Sequence, residues 1–525
     1  MNEIERYYKA LYSCKDTNLH EVELKNLINP EYHISLDKKS SLELEGRISK
    51  EEALLALKNM KNNKTPGSDG FTAEFYKFFW CDIAVYLVRS INYGFDVGEL
   101  SLTQKQGIIS ILPKGDKPRE YLKNWRPISL LNVSYKIASS CIANRIKKVL
   151  DYLIHDNQKG FLQGRFIGEN TRVIYDVIHS TFEKHIPGIL LLIDFEKAFD
   201  SISWRFMYKA LEFFNFGTDL IKWVSVLYKD AKLCVLQNGI FSSFFSIGRG
   251  CRQGDPVSPY LFNLCVEIMG LMIRQNKNIK GIRIEKETIC LLQYADDTVL
   301  FLDGSEKSLK SALDLLFQFS KFSGLKPNIN KTKAIWIGSK CGSSDTLCDD
   351  TDLNWTTQPF TILGITYTAN LQDMEQINFD KKLESIEKEI LQWSKRQISV
   401  LGKITVIKSI LLSKLTHLLS VLPKPSIQWL KKLEQLLFKF IWNKKPDKIS
   451  RKTLQLDLEH GGFRMTNLEI FIKSLKLTWL RRMLISESIW TKLFTIITGC
   501  SIIHMCQFGS EYVIQKMKVI IPSRN

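Results

Sequence analysis

Residues 188–194 read GILLLID, five consecutive aliphatic side chains closed by a carboxylate. A run with no polar position cannot supply the one-sided stripe of a surface helix or the alternating face of a half-exposed strand. It suits a strand buried on both faces, with Asp194 at its end.

A second stretch, LLQYADDTVLF at 291–301, sets Asp296 and Asp297 at the tip of a hairpin flanked by Leu291, Leu292, Val299, Leu300 and Phe301. An Asp-Asp pair in a turn is ordinary, because aspartate is a favoured turn residue. Apolar flanks change its meaning: unpaired carboxylates there repel each other and lose hydration, so something positive must compensate. A divalent cation does so, and Mg²⁺ takes carboxylate and phosphate oxygens while keeping several waters. With Asp194 as a third carboxylate, two ions about 3.5–4 Å apart would stabilise the attacking and leaving oxygens of an in-line phosphoryl displacement. The chemistry these residues suit is nucleotidyl transfer to a primer 3′-hydroxyl.

Charge points to the same partner. Lys and Arg number 73 against 55 Asp and Glu, a net +18 over 525 residues, and such a surplus favours capture of polyanions. Residues 391–452 hold fourteen Lys or Arg and two Asp or Glu, so the excess is concentrated. Trp393, Trp429, Phe438 and Trp442 are interspersed with these lysines, a mixture suited to a nucleic-acid backbone although packing is the commoner use of such rings. Eleven cysteines without repeated spacing imply reduced thiols in an intracellular protein, nucleus and cytoplasm being indistinguishable. Cys500, His504 and Cys506 cluster without the four-ligand spacing of a zinc knuckle. The first residues lack a signal-peptide core, and the most apolar stretch, ITVIKSILLSKLTHLLSVLP, is interrupted by Lys408, Lys414 and His417, so no membrane span is expected.

Along the chain, Ser49 and Glu52 form a capping box ahead of a helix that NNKTPGSDG (62–70) ends. LPKGDKPREYLKNWRPISL (112–130) reads as an exposed basic loop before a helical run. Asn238-Gly239 marks a hairpin, and RGCRQGDPVSPYLF is a loop leading into an apolar helix. Beyond about residue 355 helical patterns take over: Ile404, Ile407, Leu411, Leu415, Leu418 and Leu422 step along one face.

Taken in order, LLLIDFEKAFDSISW, GCRQGDPVSPYLFNL, QYADDTVLF, SGLKPNINKTKAIWIG and FTILGITYT resemble the motif series of reverse transcriptases of non-LTR retrotransposons, the long interspersed element class. NKTPGSDGFTAEFY, LPKGDKPREYLKNWRPISLLNVSYKI and NQKGFLQGRFIGENT are similar to that class's extended finger motifs, so the resemblance covers residues 45–370; SVLGKITVIKSILLSKL, FIWNKK and HGGFRMTNLEIF extend it downstream.

The resemblance implies a right-hand polymerase of the α+β class: fingers and palm built from an antiparallel sheet plus helices over 46–370, a basic helical thumb-like region over 371–455, a helical region of unassigned role over 456–525, and a linker-like extension over 1–45. It implies that Asp194, Asp296 and Asp297 bind two Mg²⁺ ions, with Mn²⁺ as an alternative, helped by the backbone carbonyl of Phe195. Phe199 would lie beneath the incoming sugar and exclude a 2′-hydroxyl. Gln253 and Gly254 would pack near nucleotide and template, where glycine permits close backbone approach. Lys114 and Arg126 would hold the triphosphate, the arginine in bidentate fashion, Lys331 would protonate pyrophosphate, and Leu363-Gly364-Ile365 would support the primer terminus. The implied function is RNA-templated DNA synthesis, with RNA template, DNA primer and deoxynucleoside triphosphates as partners.

The apurinic-type endonuclease and cysteine-rich element usual in this class have no counterpart in these residues, nor does a ribonuclease H constellation after residue 370, so no nicking activity is expected of the chain. The alternative is a nucleic-acid-binding remnant without turnover, which the intact carboxylate triad argues against. HGGFRMTNLEIF disfavours an intron-encoded maturase, and Phe199 disfavours a viral RNA-dependent RNA polymerase, where a polar residue would read the sugar.

Overall fold

The computed structural model describes residues 1–13, 23–115, 117–368, 371–485 and 487–499, with Ile503 and Gln507. Cys500, His504 and Cys506 lie outside the described residues.

The aliphatic run forms the strand Gly188–Ile193, every residue of which is buried. It lies inside a five-stranded sheet, between Lys333–Ile337 and Asp297–Leu302; Leu291–Tyr294 and Asn354–Trp355 form the two edges. Side chains alternate across a strand, so Ile189, Leu191 and Ile193 join one apolar cluster while Leu190 and Leu192 join another. The first cluster contains the helices Ser258–Gln275 and Glu306–Ser323. The second contains Ile167–Glu183 and the C-terminal helices. Each fully buried aliphatic side chain contributes about 1.5–3 kcal/mol, and the central strand spends its five on two cores at once.

A second sheet pairs Gln106–Pro113 with Trp125–Leu131 antiparallel and with Lys232–Gln237 parallel. The sheets are thus mixed, where an antiparallel sheet was expected; the parallel pair forms because 118 residues of intervening chain allow a crossover that no hairpin could make. Asn238 and Gly239, both at positive φ, turn Lys232–Gln237 back onto Ile240–Phe241 as their sequence requires.

The described part of the first 45 residues is built into the fold. Helix Asn2–Tyr12 lays Tyr8 and Tyr12, both fully buried, against Ile109, Ile111, Leu233 and Val235 of the second sheet. Ser49 and Glu52 make the reciprocal capping box.

Beyond residue 370 the chain is helical. Ile404, Ile407, Leu411, Leu415, Leu418 and Leu422 are all buried, on a helical path that passes through a π-turn at Ile407–Leu411. Trp429, Phe438 and Trp442 are buried in the same cluster, and Trp393 packs at its margin. Among the described residues no single helix is long and apolar enough to cross a membrane; the bent pair Val400–Leu411 and Ser413–Val421 passes by length and composition alone. Helix Ile489–Thr498 returns to the first half of the chain, where Ile489 N donates to Asp156 Oδ2 at 3.0 Å.

Candidate active site

Strand register assembles the carboxylates. Thr298 pairs with Ile193, and Asp297 pairs with Tyr294 across the hairpin. The residue following Ile193 and the two residues preceding Thr298 therefore emerge at the same end of adjacent strands, and these are Asp194, Asp296 and Asp297. All three are exposed on one side, yet the surrounding protein removes much of the water from the two hairpin aspartates. Burial pushes Asp297 up to about 6, and the charges of Asp296 and Asp194 add to the shift. Burial likewise raises Asp296, with Asp194 adding to it and Arg126 and Lys114 opposing.

The loop after the aliphatic strand is tied to the segment carrying Lys331. Asn328 N donates to Asp194 O at 2.7 Å, Thr332 Oγ1 accepts from Asp194 N at 3.3 Å, and Phe195 bridges to Pro327. Lys331 Nζ lies 3.8 Å from Asp194 Oδ2. Both groups face solvent, so this pair contributes well under 1 kcal/mol.

Phe199 is half-buried. Its ring stacks on Phe262 with centroids 4.1 Å apart and meets Phe161 edge-on at 5.9 Å. The Gln253–Gly254 turn is sewn to the second sheet: Ser129 N donates to Gln253 O at 2.7 Å. Gly254 has φ +110°, and a Cβ there would stand 2.7 Å from Ser129 O, so the close approach requires glycine. Beneath it, the fully buried Arg252 lies over the rings of Tyr135 and Tyr228 and pairs with Asp255 at 3.2 Å.

Lys114 follows the strand Gln106–Pro113, whose Leu112 is in register with Arg126. Burial lowers the Lys114 ammonium, with the nearby Lys117 and Arg126 charges adding to it; Asp200 and Lys331 also act on it. The basic pair thus belongs to the same electrostatic neighbourhood as Asp296 and Lys331. Leu363 and Gly364, both at positive φ, turn the hairpin Phe360–Ile362/Ile365–Tyr367, and Leu363 O lies 3.0 Å from His417 Nε2.

Several residues here were not singled out in the sequence. Asp200 is 1% exposed, accepts from Tyr12 Oη at 2.8 Å and receives Gln253 Nε2 at 3.4 Å. Burial pushes it up to about 6. Lys197, in the left-handed region at φ 49°, sits 5.7 Å from the Tyr7 ring; burial and the Lys114 charge lower it to about 8. Asp200 follows Phe199 directly, which is a sequence signal of a kind; its partner Tyr12 carries none.

Among the described residues no three His, Cys, Asp or Glu side chains are drawn together tightly enough to enclose a metal ion. The strand ends instead present an open, all-oxygen donor set in which burial, with the Asp194 charge adding to it, raises both hairpin aspartates. Such a set fits Mg²⁺ or Mn²⁺, since Mg²⁺ is held by one or two carboxylates while waters and substrate phosphates complete its octahedron. It does not fit a softer, nitrogen- or sulfur-seeking metal.

Comparison with known proteins agrees with this geometry. Residues 112–367 match the family model described as reverse transcriptase (RNA-dependent DNA polymerase). The chain is 29% identical over 449 residues to the transposon TX1 uncharacterized 149 kDa protein of Xenopus laevis, covering 85% of this chain and 34% of that protein. It is 25% identical over 301 residues to the retrovirus-related Pol polyprotein from type-1 retrotransposable element R2 of Popillia japonica, covering 56% of this chain and 40% of the relative. The corresponding polyprotein from type-2 element R2DM of Drosophila melanogaster is 26% identical over 279 residues, covering 52% and 25%. The chain therefore spans between a quarter and two fifths of the length of these relatives. Residues 112–367, with the central sheet, most of the second and all three strand-end carboxylates, match the reverse transcriptase family, and the relatives support a non-LTR retrotransposon as the kind of element it comes from.

Proposed function

We propose that this chain is an RNA-directed DNA polymerase that extends a primer 3′-hydroxyl on an RNA template with deoxynucleoside triphosphates. The observation that carries the reading is the pairing of Thr298 with Ile193, which brings three carboxylates to one end of two adjacent interior strands in a basic chain. In hand-like terms, the central sheet is the palm, the second sheet and preceding helices the fingers, and the helices after residue 370 the thumb.

Asp194, Asp296 and Asp297 would hold divalent cations, with the carbonyl of Phe195 as a further ligand. When bound, two Mg²⁺ ions supply Lewis-acid activation of the primer hydroxyl and neutralise charge on the triphosphate. The protein's own groups do the rest. Lys114 and Arg126 would bind triphosphate oxygens, and Lys331, close to Asp194, would deliver a proton to the departing pyrophosphate. The Phe199 ring, stacked on Phe262, would fill the space a ribose 2′-hydroxyl needs, while Gln253 and Gly254 line the nucleotide and template side. Leu363 to Ile365 would support the primer terminus, and the basic surface of residues 391–452 would grip the nucleic-acid backbone.

Incubation with a primed RNA template, deoxynucleotides and Mg²⁺ tests this: extension is expected, and Asp296→Asn should abolish it. Folded protein that binds the template but adds no nucleotide at any Mg²⁺ concentration would overturn the enzyme reading in favour of a binding remnant.

A further inference from the structure

The geometry points to Gln158 as a positioning residue: its side-chain amide holds the turn that carries Asp296 and Asp297, and thereby sets the metal affinity of the pair. The inference rests on reading those carboxylates as metal ligands. It uses a segment, Asn157–Gly160, that the proposed reaction leaves without a task.

The turn is conformationally unfavourable. Tyr294 and Asp297 are in register, so Ala295 and Asp296 alone reverse the chain, and Ala295 adopts φ 58°. An alanine in the left-handed region costs on the order of 1 kcal/mol and persists only where its surroundings over-determine it. Here one side chain takes both backbone groups of Ala295. Gln158 Oε1 accepts from Ala295 N at 2.8 Å, and Gln158 Nε2 donates to Ala295 O at 3.2 Å. A carboxamide matches a peptide unit because it presents a donor and an acceptor in one plane. The same Oε1 also accepts from Gly160 N at 2.9 Å, which fixes the amide's orientation.

Gln158 is 1% exposed and lies on a rigid support. Its neighbours bracket the hairpin strand, with Gln293 N donating to Asn157 O at 2.9 Å and Lys159 N donating to Gln293 O at 3.0 Å. The buried Lys159 ammonium ties the segment down between Asp156 at 2.5 Å and Glu169 at 2.8 Å. Gly160 lies so close that a Cβ would stand 2.3 Å from Ala295 N, and its carbonyl accepts from Asn263 Nδ2 at 2.7 Å. The clamp therefore has a fixed end and a strained end, and the strained end bears the carboxylates. Groups that orient metal ligands from behind typically carry 10–100-fold of the metal affinity.

The test titrates the full-length protein with Mn²⁺ and follows the free ion by electron paramagnetic resonance, with no turnover required. The site is defined as the binding lost in Asp296→Asn. Gln158→Met, similar in volume but without the amide, is expected to weaken that binding about tenfold or more, while circular dichroism and affinity for primed RNA stay at wild-type levels. Gly160→Ala, which presses on Ala295 N and leaves Gln158 in place, is expected to weaken it as well. Folded Gln158→Met with wild-type Mn²⁺ affinity overturns the inference; should that variant not fold, wild-type affinity in Gly160→Ala overturns it instead. Mn²⁺ binding indifferent to Asp296→Asn overturns the reading of the carboxylates, and the inference falls with it.

Discussion

Tyr12 donates its hydroxyl hydrogen to Asp200 at 2.8 Å, joining the first helix to a buried carboxylate 188 residues away. Because Gln253 Nε2 also approaches Asp200, at 3.4 Å from each oxygen, the first helix braces the loop that carries Gln253 and Gly254. Helix Asn2–Tyr12 is tied to the same loop by its backbone, with Gly248 N donating to Tyr12 O at 2.9 Å and Arg249 Nε donating to Leu11 O at 2.7 Å.

Tyr12→Phe is expected to destabilise the protein by about 1–3 kcal/mol, the cost of depriving a buried carboxylate of a donor. Asp200 is raised to about 6 from an ordinary 3.8, so its charge weakens the fold as pH rises from about 4 to 6. Removing the tyrosine, which opposes that shift, raises Asp200 further. The stability loss should therefore be larger at pH 8 than at pH 5, and thermal melts of both proteins at the two pH values measure it.

Asp297→Asn should abolish extension and yet stabilise the metal-free protein. The Asp297 carboxyl is raised to about 6, so above that pH the fold carries a charge it disfavours. Discounted for its open, screened side, the gain at pH 7.5 is about 1 kcal/mol. It should vanish below pH 4, where the unfolded chain also binds the proton. Melting in chelator at pH 7.5 and pH 4 checks both halves.

Metal affinity should fall as pH drops through about 6, because a protonated Asp297 no longer offers a charged ligand. Burial sets this titration first, and the charges of Asp296 and Asp194 raise Asp297 further; Arg126 and Lys114 act on the neighbouring Asp296 in the opposite sense. Mn²⁺ titrations at pH 5, 6, 7 and 8 should show affinity levelling off above pH 7.

Phe199→Ala is expected to raise the use of ribonucleotides relative to deoxynucleotides by about 10–100-fold, the range that one steric contact commands. Because Phe199 stacks on Phe262 and meets Phe161 edge-on, its ring has little freedom to move aside in the wild type. Primer extension with each nucleotide class alone gives the ratio; an unchanged ratio would remove Phe199 from the role of gate.

Features that depend on near neighbours were legible in the residues themselves. The Ser49–Glu52 box, the Asn238-Gly239 turn and the buried face of residues 404–422 each follow from spacing within a turn or two of chain. The double-sided burial of Gly188–Ile193 was equally readable, since a strand without polar positions has nowhere to face water. The burial of Trp429, Phe438 and Trp442 was not decidable from a basic, aromatic stretch, because the same composition serves a core edge and a nucleic-acid groove.

By itself the sequence determined which carboxylates come to notice: an aliphatic run closed by Asp194, and an apolar hairpin with Asp296 and Asp297 at its tip, are local patterns that state their own need for compensation. Only the tertiary structure decided what holds them in place. The clamp of Gln158 on Ala295 spans 137 residues and the bond of Tyr12 to Asp200 spans 188. Hydrogen bonds over such separations leave no periodicity in the chain; they exist because folding along another path brought two buried polar groups together that would otherwise have gone unpaired.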